Sequence, residues 1–458
     1  MSTEAIAANE PNGTHSSRAE ADLPLGCKRT AAGVIPTDWD VRPFGELALI
    51  ERGKFTARPR DDPKYYGGSI PFIQTGDVTN SRGRITKYSQ TLNSEGLKVS
   101  KLFPRGTLFF TIAANIGDVG VTTFDSACPD SLVAITPARR IDKAWLAYEL
   151  SRRKASFENI ATQNAQLNIN LEKLRPYLIP VPTWPEQCAI AEALSDVDGL
   201  LWALEALIAK KWAIKQAAMQ QLLTGKTRLP GFGKAVSRDD VVGLPSEWLV
   251  KPLSSVSVMH GRIGWQGLTQ SEFTTAADDP FLITGVDFRD TGIDWETAYH
   301  VSRERYDVAP LIQLRPGDVL MTKDGTIGKM LYVTDIPYPG MATLNSHLLV
   351  FRPIDGSYVP RFLFYQMSSR RFSDHVEAHK SGSTFFGLSQ AATGRFGVLL
   401  PPIDEQEAIA NVLVEMDEEL ETLKRRLGKT KAIRQGMMQQ LLTGRVRLVK
   451  PAPAEANA

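Results

Sequence analysis

Cysteine and histidine are scarce in this chain of 458 residues. There are three cysteines, Cys27, Cys128 and Cys188, and six histidines. An odd, scattered set of cysteines does not make a disulfide framework and suits a reducing compartment, so a cytoplasmic location is expected. No run of 18 apolar residues occurs, which argues against a membrane span, and Met1–Ala21 lacks the apolar core of a secretory signal. Net charge is only +2, so any nucleic-acid surface has to be a local patch.

The usual catalytic signatures are missing too. A Gly-Lys-Thr occurs at Gly225–Thr227 and again at Gly428–Thr430, but a phosphate loop needs a glycine five positions earlier, where Gln220 and Leu423 stand. His375 and His379 have helical metal-ligand spacing, yet Val376 follows the first histidine and no third ligand is in view. There is no G-x-S-x-G, no dinucleotide fingerprint, and neither loop of a DNA amino-methyltransferase. A non-catalytic binder and scaffold is therefore expected, with no cofactor of its own.

What is present is duplication. PEQCAIAEAL to QQLLTGKTRL (185–229) returns as DEQEAIANVL to QQLLTGRVRL (404–448) at a constant offset of 219 residues. Each copy predicts one long helix, about 55–60 Å at 1.5 Å per residue, opened by Pro185 or Asp404 and stopped by Gly225 or Gly444. Ile190, Leu194, Val197, Leu201, Leu204 and Ile208 advance by four and three alternately. So do Ile409, Leu413, Met416, Leu420, Leu423 and Leu427, which gives two coiled-coil seams. Both helices are acidic at the start and basic at the end. Helix dipoles favour that polarity in any helix, but it also favours antiparallel pairing, which sets acid against base.

The stretches between are also repeated, with a drifting offset. GVIPTDW (33–39) returns as GLPSEW (243–248), IPFIQTGDV (70–78) as DPFLITGVDF (279–288), and RGTLFFTIAANIGDVG (105–120) as PGDVLMTKDGTIGKM (316–330). Each reads as an α/β globule with a mixed or largely antiparallel sheet; 108–113 and 319–322 read as buried strands, 145–156 and 359–369 as helices. The resulting division is a disordered tail (1–27), globule one (28–182), long helix one (183–230), globule two (231–400), long helix two (401–447) and a tail (448–458).

Candidate binding residues lie in the loops. The segment 51–68 carries Arg52, Lys54, Arg58, Arg60 and Lys64 interleaved with Phe55, Tyr65 and Tyr66. Arg82, Arg84 and Lys87 follow, and Gln74 and Asn115 are polar groups on the repeated framework. The amides Gln163, Asn164 and Gln166 suit adenine edges; Arg and Lys suit phosphates and guanine. In globule two the candidates are Arg262, Gln266, Lys323, Lys329, Lys380 and Ser383. A solvated loop has much the same composition.

The alternation of globule and rod, with EQ-x-x-I at each rod's start and QQLLTG plus a basic run at its end, closely resembles the specificity subunit of type I restriction–modification systems. The resemblance spans about Lys28 to Leu448. It implies two target recognition domains, each reading half of a split, asymmetric site in double-stranded DNA. It also implies an antiparallel helix pair that sets the spacer and docks two modification (methyltransferase) subunits, with restriction (endonuclease/translocase) subunits completing the complex. Methyl donor and ATP would belong to those partners. Thr384-Phe385-Phe386-Gly387 replaces the amide-rich loop of globule one, so recognition roles do not carry directly between halves there. The competing reading is an assembly scaffold whose globules bind protein.

Overall fold

The structure is a computed structural model and describes residues 23–161, 168–233, 243–261, 268, 272–289, 292–382 and 386–450. Most of both expected tails, and the loop positions Gln163, Asn164, Gln166, Arg262, Gln266 and Ser383, lie outside the described residues. Cys27, placed above in the first tail, opens a strand, Cys27–Thr30. The chain divides into two compact units: residues 1–203 with 428–458, and residues 204–427. Among the described residues no helix is long and apolar enough to cross a membrane.

In the first unit the apolar run Leu108–Thr111 forms the centre of a five-stranded sheet and is buried throughout. A strand covered on both faces needs no polar alternation. Leu108 and Phe110 face one core with Trp145, Phe157, Ile190 and Leu194, while Phe109 faces another with Phe103, Cys128 and Leu132. Burial pushes the Cys128 thiol well above its ordinary pKa, so it acts as a small core side chain. Pairing is antiparallel except where Val119–Thr122 meets Gly83–Ile85. The expected helix 145–156 is two helices, Lys143–Arg152 and Lys154–Ala161. They part at Arg153, whose guanidinium and that of Arg152 both grip the buried Glu149.

The second unit repeats this plan. Val319–Thr322 is buried throughout, with Val319 and Met321 in one core and Leu320 in another. It pairs antiparallel with Leu348–Pro353 and Met330–Tyr332. The helix expected over 359–369 spans Pro360–Met367.

The two long helices are Trp184–Leu222 and Ile403–Leu441, 39 residues each and 219 apart at both ends. At 1.5 Å per residue each is about 58 Å long. Pro185 and Asp404 are second rather than first in their helices, still within the turn whose N–H groups lack helical partners. Gly225 and Gly444 follow the ends with φ of +71° and +69°, the left-handed conformation that stops a helix.

Each unit contains the start of one long helix and the end of the other, and in both they run antiparallel. In the first unit Asp198 accepts from Arg434; in the second Asp417 pairs with Lys215, and Glu419 with Lys211. Ile190, Leu194, Leu201, Leu204, Ile409, Leu413 and Leu420 are buried, and Val197, Ile208, Met416, Leu423 and Leu427 are partly buried. The leading seam residues also belong to globular cores: Ile190 and Leu194 pack with Trp145 and Leu442, and Ile409 and Leu413 with Phe362 and Leu223.

A repeated clasp fixes each globule to its helix ends. In the first unit Glu186 is fully buried and accepts from the Trp39 indole at 2.9 Å and from Arg447 at 2.5 and 2.7 Å. Arg447 also holds Asp38 at 2.7 Å. In the second, Glu405 is fully buried and accepts from Trp248 at 3.1 Å and from Arg228 at 2.9 and 2.7 Å. Glu247 completes it on Arg228. Next to each glutamate a glutamine reaches back into the globule. Gln187 donates to Pro182 O and accepts from Asp142 N, both at 2.9 Å; Gln406 donates to Pro401 O and accepts from Val359 N, both at 2.9 Å. The doubled Glu-Gln, the tryptophan of each globule's opening and the basic run after each helix are therefore parts of one buried device.

Candidate nucleic-acid interface

One hairpin turn appears in both units. Thr111 N–H donates to Asp118 O at 3.0 Å, Asp118 N–H to the Thr111 hydroxyl at 2.9 Å, and Gly117 N–H to Thr111 O at 3.0 Å. In the second unit Thr322, Lys329 and Gly328 repeat these bonds at 3.0, 3.0 and 2.8 Å. The threonine hydroxyl also donates across the turn, to Asn115 O or Thr326 O. Turned inward, each threonine fixes a loop whose tip residues are exposed: Ala114 and Asn115 in one unit, Gly325 and Thr326 in the other.

A polar stretch lies beside each hairpin. Asn168 bridges to Ala113, and Ile169 N–H donates to Ile112 O at 2.9 Å. Gly387 bridges to Asp324, and Leu388 N–H donates to Lys323 O at 2.8 Å. In the first unit the short helix Thr75–Asn80 joins them. Asn115 donates to the Thr79 hydroxyl at 3.2 Å, Thr79 to Asp118 at 2.6 Å, and Lys154 pairs with Asp118 at 2.5 Å. Gln74, at the helix start, donates to Gln90 at 2.9 Å. The structure thus brings Asn115 and Gln74 to one helix, and adds Thr79, Asp118, Lys154 and Gln90, which sequence reasoning did not select. The doubling of the hairpin hinted only at Asp118.

The basic segment 51–68 divides by direction. Phe55 is buried, and its ring centroid lies 6.1, 5.8 and 5.0 Å from those of Tyr65, Tyr66 and Phe72. These aromatics form a small core rather than a stacking platform for bases. Arg60 pairs with Asp130 at 2.7 Å, which raises its pKa, and Lys64 with Asp62 at 2.9 Å. Arg58 donates to Ala57 O at 2.7 Å. Arg52, Lys54 and Lys87 are exposed and make no ion pair among the described residues. Arg60, Tyr66, Phe72, Gln74 and Gln90 line an open cleft of about 570 Å³.

Arg82 is exposed on the turn before strand Gly83–Ile85 with φ +52°, while Arg84 lies 5.4 Å over the ring of Trp202, turned toward the first long helix. In the second unit Lys323 is 3.8 Å from Asp324, Lys329 donates to Phe288 O at 2.5 Å, and Lys380 pairs with Glu377 at 2.7 Å. Asp118 and Lys329 hold the same turn position with opposite charge, so the two surfaces differ where their frameworks match. His375 and His379 sit on helix Arg370–His379 and bond to backbone carbonyls of Ala392 and His375, both at 2.9 Å. Among the described residues no three His, Cys, Asp or Glu side chains are placed to hold a metal.

Comparison with known proteins agrees with this architecture. The family model "Type I restriction modification DNA specificity domain" matches twice, over residues 36–215 and 245–429. Two Methanocaldococcus jannaschii proteins, the MjaX and MjaVIII type I restriction enzyme specificity subunits, are each 24% identical. MjaX aligns over 92% of this chain and 96% of its own length, and MjaVIII over 90% and 94%. The crystal structure of a type I restriction–modification S subunit from M. genitalium shares the fold. It has a TM-score of 0.56 at 16% identity, covering 88% of this chain and 96% of that one. With the domain model covering both halves, the chain belongs to the specificity-subunit family of type I restriction–modification systems.

Proposed function

We propose that each unit binds one half of a split, asymmetric sequence in double-stranded DNA and that the long helices set the spacer between the halves. Two modification subunits dock on the helices and globules, restriction subunits join them, and the methyl donor and ATP are bound by those partners. The complex works in the cytoplasm. The observation that carries this reading is a shared framework with divergent tips: the same hairpin, clasp and helix recur, while the groups on the hairpin change from Asn115 and Asp118 to Thr326 and Lys329. Amide and cationic side chains on a rigid turn suit base edges and phosphates.

Equal, uninterrupted helices support the ruler role and supply its test. Inserting one heptad after Glu205 and one after Lys424 preserves the seam spacing and lengthens each helix by about 10 Å. That equals roughly three base pairs at 3.4 Å each. Methylation mapping of this variant is expected to show the same half-sites with a spacer about three base pairs longer. An unchanged spacer refutes the ruler. A salt-insensitive, sequence-indifferent DNA complex favours the protein-binding scaffold instead.

A further inference from the structure

In each unit an arginine lies over the ring that precedes the strand leaving the globule. Arg153 is 5.8 Å from the Tyr177 centroid, and Arg371 is 4.9 Å from that of Phe396. The rings are 219 residues apart in sequence and each packs on a buried phenylalanine, Phe157 or Phe372. The two arginines are treated differently. Arg153 donates to the buried carboxylate of Glu149 and, at 3.3 Å, to the Tyr177 hydroxyl. In the second unit both acceptors are replaced. The residue after Tyr148 is Glu149, but the residue after Tyr365 is Gln366, whose amide is used by Leu223 O and Leu399 O at 2.9 and 3.3 Å. Phe396 has no hydroxyl to offer.

Arg371 keeps the ring contact and makes no hydrogen bond or ion pair among the described residues. One of its terminal nitrogens is shielded from solvent without a partner. A partly buried guanidinium left this way costs free energy that an anion would recover. Burial alone pulls its pKa down; no neighbouring acid offsets it. The acids of its helix are engaged elsewhere, Asp374 with Arg370 at 3.8 Å and Glu377 with Lys380 at 2.7 Å. His375 faces Arg371, Arg395 and His379, so the surroundings are cationic.

We propose that Arg371 holds a backbone phosphate of bound DNA, a contact the first unit does not make because Glu149 occupies its arginine. This rests on the DNA-binding reading above. A phosphate of DNA is favoured over a lone carboxylate of a partner protein because Arg395 as well as Arg371 acts on His375 and the helix leads to the hairpin of the candidate interface. Helix Arg370–His379 leads through Lys380 to Ser381, which pairs with Gly387 beside the hairpin at Asp324. The two halves of the subunit then grip the DNA backbone unequally.

The test uses Arg371→Met, which keeps an apolar stem over Phe396, and Arg371→Lys, which keeps the charge. Affinity is measured for the full chain with its modification subunits on a duplex carrying the mapped site and on a scrambled duplex, over a range of salt. Arg371→Met is expected to reduce the salt slope by about 0.9 and to weaken both duplexes by the same factor. Arg371→Lys is expected to retain the slope. Arg153→Met serves as the control: it lowers the melting temperature and leaves the slope alone. A folded Arg371→Met protein with the wild-type slope overturns the proposal, and so does one that releases its modification subunits while gripping DNA normally. Failure of the wild-type complex to bind DNA in a salt-dependent way overturns the DNA-binding reading itself.

Discussion

Removing Arg228 isolates the clasp of the second unit. Its side chain is 4% exposed and that of Glu405 0%, and the pair is a bidentate fork. In Arg228→Met the buried Glu405 carboxylate keeps one donor, the Trp248 indole. Breaking a buried pair from one side costs about 3–5 kcal/mol, because the remaining charge is stranded. Glu247 sits on the same guanidinium and is 54% exposed, so water is near. The expected loss is therefore at the lower end, about 3 kcal/mol. Adding Glu405→Gln removes the stranded charge and should recover part of it, giving a coupling energy of at least about 1 kcal/mol in a double-mutant cycle. Urea unfolding followed by tryptophan fluorescence is the assay, since Trp248 lies in the clasp. A loss below about 1 kcal/mol, the value of an exposed ion pair, or strict additivity of the two substitutions, refutes the argument.

Two further outcomes are expected. Gly444→Ala puts a methyl group into the ring of Pro36 at a φ of +69°, so it should lower the stability of the first unit by more than about 1 kcal/mol in thermal melts. Arg447 beside Asp38 holds that carboxyl below the usual range, chiefly by hydrogen bonding. A carboxyl with a lower pKa folded than unfolded adds stability that is complete above about pH 4 and is lost as pH falls through the folded value. Stability measured against pH should therefore decline below pH of about 4, and less steeply in Asp38→Asn.

The long helices were legible because period and duplication are properties of the string. The 4-3 steps from Ile190 to Ile208, the same steps 219 residues later, and the acidic-to-basic run of each copy require no knowledge of what lies nearby. The clasp was not legible in the same way. Glu186 meets Arg447 across 261 residues, and nothing local marks it as fully buried. Its only trace was that Glu186, Glu405, Arg228 and Arg447 all belong to the repeat. The segment 51–68 shows a different limit. In an irregular stretch without period two or 3.6, composition does not say which side chains face inward, so nothing in the sequence showed that Phe55, Tyr65 and Tyr66 cluster with Phe72 in a small core. Composition offered Arg60 and Lys64 as candidate DNA contacts, and it could not show that each also has an acidic neighbour, Asp130 or Asp62.

The placement of Arg447 on Glu186 and Asp38 has a bearing on biosynthesis. Every residue of the second unit, 204–427, is made before the last part of the first, 428–458. The first unit begins earlier and finishes later: until Leu441, Leu442 and Arg447 emerge, the apolar face around Trp39, Ile190 and Leu194 stays uncovered and Glu186 waits for its cation. A nascent chain cut short near its carboxyl end would thus leave its amino-terminal globule, rather than the nearer one, open to chaperones and proteases.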